Sequence, residues 1–149
     1  MELVSSLKNE ISTAEGNWIM AKDKSEAQEV SVIDSLRAGV ERNPTDVNQH
    51  LRLGWTYYGE DRLDEAIRAF QDAKDRFPED IEVLYALALA YKKAGHKKDA
   101  LGIFRTVIKA AEVLDDRMRG TMLRRLAIGH VNVLERGDWD LRNETWERK

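Results

Sequence analysis

A single pattern recurs at a fixed offset of 34 positions, and it restricts this chain more than any other feature. Leu53-Gly54, Tyr57, Ala66, Phe70 and Ala73 return as Leu87-Ala88, Tyr91, Ala100, Phe104 and Val107. Within each unit, two stretches of helical periodicity flank a short polar turn, Glu60-Asp61-Arg62 in the first and Gly95-His96 in the second. Two antiparallel helices approach closely only where one offers a small residue to the other's bulk. Gly54 and Ala66 are therefore the expected contact points, with Leu53, Tyr57, Phe70 and Ala73 packed around them.

The period, the large-small pair opening one helix and the small-aromatic pair in the next resemble the tetratricopeptide repeat. The resemblance covers two regular units, 47–80 and 81–114. It implies an all-α, right-handed solenoid of antiparallel helix pairs, with about seven to eight helices in four pairs over a single domain spanning 1–149. It also implies what such a fold does, which is to hold another protein without catalysis, as an adaptor or scaffold.

Taken in order, the chain opens with Val4, Leu7, Ile11, Ala14, Trp18 and Ala21, whose alternating steps of three and four make one apolar stripe on a helix. Ser25 then N-caps a helix with Val30, Ile33, Leu36 and Val40 inward, ended by Asn43-Pro44. Pro44 stands 34 positions before Pro78, so 1–46 reads as a degenerate pair in the same register, with Val32, Leu36 and Gly39 at the places of Ala66, Phe70 and Ala73. Met20 falls where Gly54 sits, a departure that pushes those paired helices apart.

Thr45 is the expected N-cap of a helix running to Gly59, followed by a helix from Leu63 to Phe77 closed by Pro78. Ile81–Ala94 and Lys97 to about Glu112 form the next pair, with Gly95 as C-cap between them. Glu112 replaces the closing proline, and the next large-small pair, Ile128-Gly129, comes 41 positions after Leu87-Ala88. The seven extra residues are about two turns, so an elongated pair keeps its phase. A long helix from about Asp116 to Arg136, a break at Gly137 and a short closing helix over Asp138 to Lys149 complete a capping pair at 115–149.

Composition narrows the function classes. There is no cysteine, which excludes disulfides and thiol chemistry. No apolar run approaches the roughly 20 residues of a membrane span, and the N-terminus lacks the pattern of a signal peptide, so a cytoplasmic protein is expected. Residues 1–80 hold ten Lys/Arg against seventeen Asp/Glu, and residues 81–149 fourteen against ten, giving −7 and +4. This lacks the dominant basic field of a nucleic-acid binder, although it lets two copies meet head to tail.

By register with the family, the partner-binding groove comprises Asn48, Leu51, Arg52, Trp55, Tyr58 and Gly59, then Glu82, Tyr85, Ala86, Leu89, Lys92 and Lys93. Leu123, Leu126, His130 and Val133 extend it on the last long helix. The carboxylate clamp that some relatives use for chaperone tails is not expected, because Leu51, Trp55 and Ala86 stand where it needs lysine and asparagines. The repeat-packing set is Leu53, Gly54, Tyr57, Ala66, Phe70, Ala73, Pro78, Leu87, Ala88, Tyr91, Gly95, Ala100 and Phe104. Lys92, Lys93, Lys97 and Lys98 around Gly95-His96 suit an acidic partner or a phosphate backbone, but a solvated turn with lysines at a helix C-terminus explains them as well and is the favoured reading. Arg117, Arg119, Arg124 and Arg125 form a second basic run without the aromatic interleaving of a nucleic-acid platform.

No catalytic motif is visible: His50, His96 and His130 are far apart, and no glycine-rich phosphate loop occurs. No metal or cofactor is expected. The competing reading from a different class is a structural protein that self-associates into a homo-oligomer through the groove or the Val4–Ala21 seam.

Overall fold

A computed structural model describes residues 32–142, and within them the chain is all helix and turn. Six helices occur there, against the seven or eight expected for the whole chain; the Val4–Ala21 seam, the Ser25 cap and Met20 lie outside the described residues. The helices are α1 over residues 32–42, α2 over Val47–Gly59, α3 over Leu63–Arg76, α4 over Ile81–Lys93, α5 over Lys97–Glu112 and α6 over Arg117–Arg136. From α2 onward each packs on the next, and α2 also touches α4, as in a stacked helical repeat.

The two kinds of helix start differently. The helices α2, α4 and α6 are capped by aspartates: Asp46 accepts from the Asn48 N–H, Asp80 from Glu82 and Val83, and Asp116 from Arg119. Asp46, not Thr45, therefore begins α2; the Thr45 hydroxyl instead donates to Asn43 Oδ1. A carboxylate at this place satisfies N–H groups that have no partner within the helix and faces the positive end of the dipole.

The helices α3 and α5 have no side-chain cap. Their entry is set by a tight reversal in which the Arg62 N–H donates to the Tyr57 carbonyl and, one period later, the His96 N–H donates to the Tyr91 carbonyl. Each reversal needs one left-handed residue, Asp61 at φ 61° and Gly95 at φ 81°. Gly95 was legible as a C-cap; its counterpart Asp61 was not, because aspartate tolerates this region without advertising it.

Phe70 and Phe104 are fully buried, each at the centre of one apolar cluster. The first cluster joins Ile33, Leu51 and Tyr57 to Ala66, Ala69 and Ala73 and the α4 residues Val83, Ala86, Leu87 and Ala90. In the second, Ile81, Leu84 and Ala88 of α4 meet Ala100, Val107, Ala111, Leu123 and Ala127. A Cβ built on Gly54 would lie 2.3 Å from the Phe70 ring, so only glycine lets α2 settle on that ring.

Two expectations are corrected at the ends of the stack. Val32 is 52% exposed where its counterpart Ala66 is buried, whereas Ile33 and Leu36 lie inward as expected, in register with the buried Ile67 and Phe70. The helix lacking a closing proline ends at Glu112 as expected, and the added length falls mainly in α6, which has 20 residues against 13 in α4. Gly120 explains the fit: a Cβ there would lie 2.6 Å from the Ala111 carbonyl oxygen, which marks a close backbone approach of α5 and α6. Residues 138–142 are not helical; Gly137 takes φ 81° and Trp139 folds back against Gly129.

Gly54→Ala should destabilise the protein by about 1–3 kcal/mol through displacement of Phe70, measured by urea unfolding. Gly95→Ala should cost roughly 1–2 kcal/mol, whereas Asp61→Gly should leave stability unchanged or raise it by up to about 1 kcal/mol, since the same backbone position is being strained or relieved. Equal destabilisation by the last two would contradict the shared reversal.

Candidate functional site

The side chains that cross between α2, α4 and α6 define one continuous face. Trp55, in the middle of α2, is 38% exposed and packs edge-on against Phe70 and against Tyr58, with ring centres 5.2 Å away in both cases. The Tyr58 ring carries Lys93 of α4, whose Nζ lies 4.4 Å from the ring centre, 3.2 Å from the Tyr58 carbonyl oxygen and 3.4 Å from Asp61 Oδ1. Glu82 at the start of α4 pairs with Arg119 of α6.

Between α4 and α6 lies the most organised group on this face. Lys92 Nζ is 2.9 Å from His130 Nδ1, and Tyr85 Oη is 3.1 Å from His130 Nε2. An ammonium can only donate, so Nδ1 accepts, the ring proton sits on Nε2, and Nε2–H donates to Tyr85. The His130 ring stacks on Phe104 at 4.9 Å and takes the edge of Trp139 at 4.8 Å. Burial, reinforced by the Lys92 charge, pushes the imidazole down to about 4 from 6.5, so it stays neutral at physiological pH. Burial likewise raises the Tyr85 hydroxyl above its ordinary range, which keeps its proton in place.

The structure divides the groove residues expected from sequence. It places Arg52, Trp55, Tyr58, Tyr85, Leu89, Lys92, Lys93 and His130 on α2, α4 and α6 with at least part of each side chain accessible, and brings Tyr58, Leu89, Lys92, Lys93 and His130 to one cavity of about 260 Å³. Asn48 and Glu82 lie exposed in the first turns of their helices. Leu51 is only 9% exposed and Ala86 and Leu123 are also core residues, so these three contribute packing and not a contact surface. Leu126 looks the other way, into a cleft of about 670 Å³ that it shares with Met118, Met122, Trp139 and Leu141.

Trp139 was placed by sequence in a closing helix, and its position beside His130 was missed. The available signal was the glycine pair: Gly137 turns the chain back and Gly129 leaves room for the indole, where a Cβ would lie 2.2 Å from it. Two other histidines are accounted for structurally. His50 is buried and its Nε2–H donates to the Pro44 carbonyl at 2.9 Å, while His96 sits on the exposed reversal, 3.8 Å from Asp99. Among the described residues no group of His, Asp and Glu has the arrangement of a metal site, and no helix there is long and apolar enough to cross a membrane.

A family model of the tetratricopeptide repeat matches residues 57–122, from the last turn of α2 into α6. The match agrees with the period read from Leu53-Gly54 and Leu87-Ala88. No curated protein matches the chain.

The neutral state of His130 has a directional consequence. Unfolding restores a pKa near 6.5, so between about 4 and 6.5 the unfolded chain binds the extra proton. The stabilisation is complete above 6.5 and is lost as pH falls through that window. A proton NMR titration of the His130 ring should show a midpoint near 4 in the wild type, and a higher one in Lys92→Met that still falls short of 6.5, because burial is the larger cause. A wild-type midpoint at 6.5 would refute the buried, lysine-facing imidazole.

Proposed function

We propose, with the tetratricopeptide repeats of residues 57–122 as premise, that this protein is a non-catalytic interaction module whose α2/α4/α6 face docks a segment of a partner protein. The family generally mediates protein association, which supports the class of function. The observation that carries the choice of surface is Trp55, a large indole left partly open on a face where Tyr58, Leu89 and Lys92 continue the same strip. Aromatic side chains seated on a rigid scaffold supply contact area at low entropic cost, and such residues dominate binding energy at interfaces. The scaffold is firm here, since Trp55 rests on the fully buried Phe70.

The groove on this reading consists of Arg52, Trp55, Tyr58, Tyr85, Leu89, Lys92 and Lys93, with His130 added from α6. Cytoplasmic localisation and an adaptor or scaffold role belong to the same proposal.

Self-association is the second reading, favoured by a different surface. Met118 is 84% exposed, and Met122 and Trp139 are exposed beside it along one apolar cleft on α6. The two readings separate by photo-crosslinking in cells with a benzophenone amino acid at Arg52, or at Met118. Adducts from Arg52 with a different polypeptide, reduced about tenfold or more by Trp55→Ala, are expected for the docking groove. Adducts from Arg52 that contain only a second copy of this chain would overturn it in favour of self-association, as would adducts unaffected by Trp55→Ala.

A further inference from the structure

Neighbouring lysines at the end of α4 are treated differently by the fold. Lys93 is compensated by Asp61, by the Tyr58 carbonyl and by the Tyr58 ring. Lys92 is half-buried, its hydrogen-bond partner is the neutral His130 imidazole, and no carboxylate among the described residues pairs with it. Partial burial of an ammonium without a counter-charge costs free energy, and a histidine acceptor offsets only part of that cost. The ammonium is nevertheless fixed in place: His130 is clamped by Phe104, Trp139 and Tyr85, and it uses one of the three Lys92 donors. The remaining donors adjoin the cavity of about 260 Å³ walled by Tyr58 and Leu89.

We infer that Lys92 is the receptor for a carboxylate side chain, aspartate or glutamate, carried within the partner segment that docks on the α2/α4/α6 face. The inference rests on the docking reading above and specifies its chemistry.

Three features select a carboxylate over other anions. The cavity is smaller than the usual range for small-molecule sites, about 300–1,000 Å³, so it suits single side chains and not a nucleotide. One uncompensated ammonium matches one negative charge, and arginine, which would fork onto a phosphate, does not line the cavity. Lys92 and Tyr58 both lie near helix C-termini, whose partial negative charge opposes a more highly charged group. Apolar Leu89 and the Tyr58 ring beside the lysine add that the acidic residue should have an apolar or aromatic neighbour in the segment.

A random peptide library displayed with its C-termini joined to the phage coat, and so without free terminal carboxylates, tests this directly. Selection on the wild type with counter-selection on Trp55→Ala should enrich peptides holding Asp or Glu near an apolar residue. One such peptide, synthesised as its C-terminal amide, should bind Lys92→Met about tenfold more weakly than wild type, and Lys97→Met, which removes an exposed lysine on the neighbouring helix, as tightly as wild type. The matching Glu→Gln or Asp→Asn peptide should lose a similar factor against wild type and nothing further against Lys92→Met; this peptide-side change needs no altered fold. Trp55-dependent binders without acidic enrichment, or additive losses in that cycle, would overturn the carboxylate site while leaving the docking groove standing. Absence of any Trp55-dependent binder would overturn both.

Discussion

The structure depends on an aromatic ring pressed against bare backbone. Phe70 of α3 lies where a side chain at position 54 of α2 would be, and the gap left by Gly54 sets how closely the first regular pair can approach. That approach brings Ala66, Ala69 and Ala73 into the same cluster as Tyr57, and it gives Trp55 a buried ring to stand on. A larger residue at position 54 would act on the core and on the proposed docking face together, because one ring serves both.

A second constraint works through the backbone. The Tyr57 and Tyr91 carbonyls accept from the first residue beyond each left-handed turn, which fixes the direction in which α3 and α5 leave. The side chains of the same tyrosines carry separate duties: Arg37 Nε donates to the Tyr57 hydroxyl at 2.7 Å, and Gln71 Nε2 donates to that of Tyr91 at 2.6 Å. Each tyrosine thus ties its own turn to a helix elsewhere in the stack, which explains why the residue type recurs with the period.

Sequence reasoning was strongest where one residue answers to one local demand. The helix bounds of α2 to α5, Gly54 against Phe70 and the positive φ of Gly95 all follow from periodicity and small-residue placement. It failed where tertiary contact overrode the register. The 34-residue offset set Val32 in the core as the counterpart of Ala66, although the helical spacing of Ile33 and Leu36 names the residues that do turn inward. Leu51 looked like a groove residue because register cannot tell a lip from a core position. The site was half legible: the α2 and α4 residues came from the repeat, but the His130 environment is assembled from Tyr85, Lys92, Phe104 and Trp139, which are separated by up to 54 positions along the chain (85 to 139). No short-range pattern encodes such a meeting.

The helix α4 reads almost apolar all round, as IEVLYALALAYKK, and the two clusters account for it: Val83, Ala86, Leu87 and Ala90 serve one, Ile81, Leu84 and Ala88 the other. A helix shared in this way is the keystone of the stack. Neither cluster can open without loosening a wall of its neighbour, so the two repeats behave as one cooperative unit rather than as beads that melt in turn. The slowest amide exchange is expected at Ala86, Leu87 and Ala88, which face the two clusters from the middle of this helix. The proposed docking strip is anchored on this shared helix and extends onto α2 and α6, an arrangement in which a bound segment would tie the flanking helices to the centre.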